Sequence, residues 1–375
     1  KQSNFNLNVS HQFSTSKRNS FSQINFRQHR QSFYGLPVAI EDNYVLSNFD
    51  PVQRLTYFSI TSDWKWYDKI IKGFSLNSYY TADSYSTREN EISFSSKFQL
   101  DFGAIYLTAI PKINILSTSF KEDFYTRMES ELFSSFGGVS VYSSKEKGRF
   151  KFRLGIQSYF ITGDNYAEKN LYYFPDFKIT FKPENSNFAP FLNLNGEFYQ
   201  NSFRTLSHVN PYIAPAVRLR SSFSPYKIEL GTRSSFSKGW EFQWNLFYLS
   251  EENRPMFRNF GKNFDVNNII PYRFGNSFEV LYTSLISTGI KAKLKGAFKN
   301  GGRLNFEAAY FNYDLRNKTP QLFEALNLPE ISLQFDTTLK ISNKIYFQLF
   351  LKYVGVRTNS FRDIFLGQAI ENAPI

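Results

Sequence analysis

Residues 239–249 read Gly-Trp-Glu-Phe-Gln-Trp-Asn-Leu-Phe-Tyr-Leu. Trp240, Phe242, Trp244, Leu246 and Tyr248 share one parity, while Glu241, Gln243 and Asn245 share the other. A strand sends successive side chains to opposite faces, so this segment has one apolar and one polar face. The pattern recurs along the chain. Phe5, Leu7, Val9 and Phe13 alternate with Asn4, Asn6, Asn8 and Gln12, and Ile290, Ala292, Leu294 and Phe298 alternate with Lys291, Lys293, Lys295 and Lys299. Amphipathic strands with no helical layer to cover them must close on themselves. The pattern therefore predicts an all-β fold, a transmembrane antiparallel up-and-down β-barrel of the outer-membrane kind.

Composition points the same way. The 375 residues include 43 Phe, 24 Tyr and 4 Trp, yet hydrophobic residues reach only 42% and mean hydropathy is -0.40. The apolar side chains are spread by alternation and never gathered into the roughly 18 consecutive residues of a membrane-spanning helix, which leaves strands as the spanning element. There is no Cys, in keeping with an oxidising envelope compartment. No secretory signal opens the sequence, so an outer-membrane protein of this sequence is expected to be a mature or incomplete form.

Strands of about ten residues, the length a tilted spanning strand needs, fall at 4–13, 20–28, 54–62, 72–80, 91–100, 103–113, 128–143, 149–161, 173–182, 188–200, 225–236, 239–249, 286–299, 302–314, 331–341 and 345–357. These make about sixteen strands. Short connections, such as Ser-Lys at 237–238 and Asn-Gly at 300–301, alternate with long ones at 29–53, 81–90, 114–127, 162–172, 201–224, 250–285 and 315–330. Short periplasmic turns and long external loops alternate in this way in bacterial barrels. The first strand then descends and the last ascends. Residues 1–375 are therefore expected to form a single outer-membrane barrel domain that lacks strands at both ends.

The formal net charge of +12 raises the question of nucleic acid, but Lys and Arg are dispersed among turns and polar parities in no nucleic-acid-binding motif. A basic rim or lumen contacting outer-membrane lipid and lipopolysaccharide, or drawing in an anionic solute, is the expectation, with no nucleic-acid partner. Lys291, Lys293, Lys295 and Lys299 form a candidate basic stripe in the lumen, and Glu307 on the next strand is placed to offset it. Catalytic chemistry is not indicated. His11, His29 and His208 are far apart in sequence, and no Gly-x-Ser-x-Gly or phosphate-cradling motif occurs, so no catalytic, cofactor or metal site is expected.

Asn210-Pro-Tyr-Ile-Ala-Pro-Ala-Val-Arg-Leu-Arg-Ser-Ser222, followed by Tyr226-Lys-Ile-Glu-Leu-Gly-Thr-Arg-Ser-Ser-Phe-Ser-Lys-Gly-Trp240, resembles the barrel segment of TonB-dependent receptors. Phe274-Gly-Asn-Ser-Phe-Glu-Val280, Ala325-Leu-Asn-Leu-Pro-Glu-Ile331 and Tyr353-Val-Gly-Val-Arg357 resemble a Bacteroidota branch of such barrels. Ala214-Pro215 stands where Lys-Pro-Glu is commoner in the family. The resemblance covers mainly 205–357. It implies a large receptor-type barrel in the outer membrane, of about 18–22 strands and commonly 22; the plug domain and TonB box that carry the family's energy coupling are not seen in residues 1–375.

Two functions follow from that resemblance. One is substrate uptake as a TonB-dependent receptor-like barrel, with the TonB system as partner. The other is a receptor-derived, non-transporting subunit of a protein-assembly, secretion or lipoprotein-export complex, with surface lipoproteins or other outer-membrane proteins as partners. In either, the long-loop face is the expected contact surface, with Tyr34, Phe49, Tyr212, Phe257 and Phe260 as aromatic anchors and Arg254 and Arg258 as charged ones.

Overall fold

In the computed structural model the alternating segments become sixteen long strands connected in chain order. They are β1 (Ser3–Ser14), β2 (Arg18–Ser32), β3 (Val52–Trp66), β4 (Ile71–Asp83), β5 (Arg88–Asp101), β6 (Tyr106–Phe120), β7 (Ser130–Lys147), β8 (Phe150–Gly163), β9 (Leu171–Phe181), β10 (Phe188–Tyr199), β11 (Ser222–Ser237), β12 (Trp240–Asn259), β13 (Phe278–Ala297), β14 (Arg303–Leu315), β15 (Ile331–Lys340) and β16 (Tyr346–Val354). The structure describes residues 2–34, 50–67, 69–103, 105–123, 128–164, 169–184, 187–237, 239–261, 270–298, 301–318, 324–342, 344–358, 361–362 and 369–370.

Each strand pairs antiparallel with the next, from β1 with β2 through β15 with β16. Among the described residues β1 pairs only with β2, and the hydrogen-bonded partner of β16 is β15. The result is the wall of an up-and-down barrel in which, among the described residues, β1 and β16 are not paired with each other. No helix among the described residues is long and apolar enough to cross a membrane.

Parity separates the two faces. Phe5, Leu7, Val9, Ile24, Phe58, Ile60, Ile92, Ile113, Ile115, Leu154, Ile156, Leu230, Leu246 and Ile290 are exposed large apolar residues, the lipid-facing set of a barrel. The opposite parity carries Asn4, which meets the His29 ring at 2.5 Å, Asn6, which accepts from Asn25 at 3.1 Å, and Asn114, which donates to Glu91 at 2.9 Å. On β12, Leu246 is 47% exposed while Asn245 is buried. The expected faces of Trp240–Tyr248 are therefore the observed ones.

Two expectations change. The 81–90 connection is a tight turn, because β4 runs to Asp83 and β5 starts at Arg88, with Asp83 accepting from the N–H groups of Tyr85 at 2.9 Å and Thr87 at 2.8 Å. Nor is 250–285 a long loop, since β12 continues to Asn259 and β13 begins at Phe278. The pairing passes from Glu251–Leu285 to Arg254–Thr283, so β12 carries one extra residue there, and Asn253 takes φ 53°. That bulge reverses the inside/outside parity of everything beyond it. Met256, Arg258 and Phe260, all even-numbered, point inward, where odd-numbered Asn245 and Phe247 did below. Alternation broken in phase reads as a loop.

Candidate functional site at the barrel mouth

The long-loop end is closed by the chain's own 200–221 connection, which leaves β10, crosses the mouth and returns to β11. Its first turn is helix α1 (Phe203–Val209). The Ser202 hydroxyl accepts from the Thr205 N–H at 3.1 Å and the Thr205 hydroxyl accepts from the Ser202 N–H at 3.0 Å, a reciprocal cap for two donors the helix cannot satisfy itself. Asn210 ends the helix in an extended conformation, the one imposed on a residue preceding proline.

This strap is anchored on the far wall. Glu89 of β5 is 1% exposed, and its carboxylate accepts the N–H groups of Phe203 at 2.6 Å and Arg204 at 2.9 Å and the Thr118 hydroxyl at 2.8 Å. The Arg204 guanidinium donates to Glu91 at 2.6 Å and lies 3.9 Å above the Tyr79 ring. The Tyr57 hydroxyl is 3.1 Å from that of Ser207, and the Tyr57 ring is 4.6 Å from the His208 ring. Further along, the Gln31 side chain donates to the Pro211 carbonyl and Gln2 donates to the Tyr212 hydroxyl at 3.0 Å. The strap then crosses to β13, where Ile213 bridges Phe278 and the Ala214 N–H donates to the Phe278 carbonyl at 2.9 Å. Asn201 fastens its two ends together by donating to the Arg220 carbonyl at 2.7 Å and the Ser222 hydroxyl at 2.6 Å.

Apolar packing fills what the polar contacts frame. Phe203, Leu206, Ile213, Val217 and Leu219 share one buried cluster with Leu55 and Phe120 from the wall and Phe260 and Tyr272 from the 260–277 connection. Burying a side chain of this size contributes about 1.5–3 kcal/mol, so the cluster dominates the strap's hold on the mouth. Burial pushes the His208 imidazole below its ordinary value, and the charges of Arg27 and Arg204 and the ring of His29 act the same way, against a bond to the Arg204 carbonyl.

Beside the strap lies a cleft of about 430 Å³, lined by Asp123, Arg218, Arg220, Arg258, Glu279 and Tyr282 among others. The Tyr282 hydroxyl fixes the strap's return by donating to the Arg218 carbonyl at 3.1 Å and accepting from the Arg220 N–H at 3.1 Å. Arg258 and Glu279 form a buried ion pair at 2.5 Å, whereas the Arg218 side chain is largely exposed and 3.9 Å from Asp123. The lining thus sets Arg218, Arg220 and Arg258 against Asp123 and Glu279, a positive balance.

The anchors expected from sequence are distributed unevenly. Tyr34 is 56% exposed, with its ring 5.5 Å from that of Tyr212, which lines the strap. Phe49 and Lys299 lie outside the described residues. Arg254 sits on β12, paired with Glu251 at 2.5 Å, and Phe257 packs half-buried against the mouth cluster. Arg258 and Phe260 are buried, so they frame the cleft and do not stand out as exposed contacts. Sequence reasoning missed Glu89, Glu91, Arg204, Arg218 and Arg220. A glutamate that caps a helix more than a hundred residues away leaves no local signal.

In the lumen wall, Lys291, Lys293, Gln243, Asn245, Glu307 and Gln334 line a second cavity of about 520 Å³. Lys293 is paired with Glu307 directly across the β13–β14 ladder, and the Lys291 ammonium sits 4.6 Å from the Phe247 ring centre and 5.6 Å from that of Phe311. Lys295 stands opposite Asn305 and Glu241. Among the described residues no group of three or more His, Asp or Glu is placed to hold a metal ion.

No family model and no curated protein matches the chain. Solved structures do. It superposes on the FrpB iron transporter of Neisseria meningitidis with TM-score 0.66 at 10% identity, over 99% of this chain and 62% of that one. The siderophore receptor PirA of Pseudomonas aeruginosa gives 0.60 at 12% identity, over 96% and 62%. A mutant ferric enterobactin receptor, PfeA, of the same organism in complex with enterobactin gives 0.64 at 10%, over 100% and 61%. The chain thus spans less than two thirds of the length of these neighbours. At such identities the likeness establishes the fold: this is the wall of an outer-membrane β-barrel.

Proposed function

We propose that the chain is the barrel of a TonB-dependent receptor-like transporter that takes up an anionic cargo, such as an iron chelate, across the outer membrane. The observation that carries this reading is the arginine-rich cleft at the long-loop mouth, set above a polar lumen wall. Guanidinium groups in a recessed, partly desolvated site bind carboxylate and other oxyanion ligands by charge-assisted hydrogen bonds. The structural neighbours that handle iron and enterobactin support the choice of cargo class. In this reading residues 1–375 form one barrel domain within a larger barrel, and further strands cover the edges of β1 and β16, since open backbone edges in lipid cost several kcal/mol per unsatisfied group.

The test is uptake of radio-iron by cells carrying the full-length protein, supplied as a panel of anionic chelates. Uptake that is lost on gene deletion and reduced by Arg218→Ala with Arg220→Ala supports the proposal; equal uptake in all three strains overturns it. The occluding strap favours a second reading, a receptor-derived barrel that scaffolds an outer-membrane assembly without transport. That reading expects no uptake of any chelate and stable co-purification of other outer-membrane proteins or surface lipoproteins with the barrel.

A further inference from the structure

We infer that the 200–221 strap is a gate, closed in this structure, whose latch is the carboxylate pair Glu89 and Glu91. The geometry divides the strap into a hinge and a catch. At the hinge, Asn201 at the start of the strap is tied to Arg220 and Ser222 at its end, so the two ends leave the wall together and the segment between them moves as a unit. At the catch, on the opposite wall, both oxygens of Glu89 receive backbone N–H groups of the first helical turn, and Glu91 receives the Arg204 guanidinium.

These bonds are made to charged acceptors in a site shielded from water, where each is worth about twice a neutral hydrogen bond. They are also concentrated on one strand, so the whole catch can be released at one place. The remaining polar contacts of the far side, Tyr57 to Ser207, Gln31 to the Pro211 carbonyl and Gln2 to the Tyr212 hydroxyl, are single bonds between neutral groups. An anionic group of the cargo that competes with Glu91 for the Arg204 guanidinium would therefore act directly on the polar catch. The inference deepens the uptake reading, because a cargo entering from the long-loop side meets this strap first. Its test reads strap movement alone, whether or not cargo passes.

Residues 1–375 contain no cysteine, so within them an introduced thiol is the one that labels. Ser207→Cys places a thiol at a site 2% exposed under the closed strap, and Val209→Cys places one at a site 72% exposed on the same helix. Both are labelled with a membrane-impermeant maleimide in the full-length protein in vesicles, with the heat-induced gel shift reporting an intact barrel. Ser207→Cys should label far more slowly than Val209→Cys. Adding Glu89→Gln, which turns an amide donor towards the backbone donors, should speed Ser207→Cys labelling about tenfold or more, the loss expected for a hydrogen bond to a charged group. Arg204→Met, which leaves Glu89 and the wall untouched, should speed it in the same direction and decides the matter where Glu89→Gln prevents folding. Unchanged labelling in a folded Glu89→Gln or Arg204→Met barrel overturns the latch. Ser207→Cys labelling as fast as Val209→Cys overturns the closed strap itself.

Discussion

Leu246→Arg is the sharpest probe of which face meets lipid. Leu246 is 47% exposed and lies between Leu230 on β11 and Ile290 on β13, both exposed and apolar. It is six residues above Trp240, the first residue of β12 at the short-turn rim. At about 3.3 Å per residue and a tilt of about 40°, that places it about 15 Å into an apolar band about 25 Å tall, close to the midplane. An arginine there costs about 2–4 kcal/mol. The control is Gln334→Arg, on the lumen face directly opposite Glu307, where the new charge meets a carboxylate and water. Asn245 is a poorer control, because it is buried and stands opposite Lys291. Urea unfolding in phospholipid vesicles, followed by fluorescence of the four tryptophans, gives both values. Leu246→Arg unfolding at the wild-type midpoint, or Gln334→Arg losing as much stability as Leu246→Arg, would refute the assignment of faces.

Other outcomes follow from the mouth. Leu206→Ala removes a buried side chain from the strap cluster and should weaken strap closure by about 2–5 kcal/mol, read as faster proteolysis within 200–221 while the barrel keeps its heat-shift. Acidification should loosen the strap through His208, which faces Arg27 and His29 of β2, Tyr57 of β3 and Arg204 of its own helix. The imidazole's value in the closed strap lies below the free value of 6.5, so the open form takes up the proton first. The contribution of His208 to closure is therefore fully present above about pH 6.5 and is lost as pH falls through that value towards the depressed one. Limited proteolysis between about pH 7.5 and 5 should show strap cleavage quickening on the acid side, and His208→Gln should abolish the dependence. Glu279→Gln should destabilise the upper β12–β13 hairpin by about 3–5 kcal/mol by removing the carboxylate from buried Arg258, whereas Arg258→Met with Glu279→Leu should recover most of that loss in the same unfolding assay.

The barrel was legible because lipid on one side and water on the other impose a period of two, and sixteen segments kept it. Where the sequence misled, the cause was a change of phase or a long-range partner. The bulge near Asn253 hid the upper part of β12, so Arg254, Phe257 and Arg258 read as loop residues. Helix α1 is too short for a periodic signal, and its Ser202–Thr205 cap is an inconspicuous pair in a serine-rich chain. Glu89 and Arg204 are ordinary charged residues until the sheet curls and brings β5 to the mouth strap. Lys293 and Glu307 could be paired from sequence because a hairpin fixes its own register.

The extra residue in β12 also sets a rule for changes in chain length. Below it the inward side chains are odd-numbered, and above it they are even-numbered. Deleting one residue at 252–253 would restore a plain ladder to β13 and leave Met256, Arg258 and Phe260 on their present face, with Arg258 still opposite Glu279. Deleting both would leave β12 one residue short of β13 and turn those side chains over, unless a new bulge formed in β13. Related barrels that lack this bulge should therefore be one residue shorter in β12 and keep the same pairing beyond it.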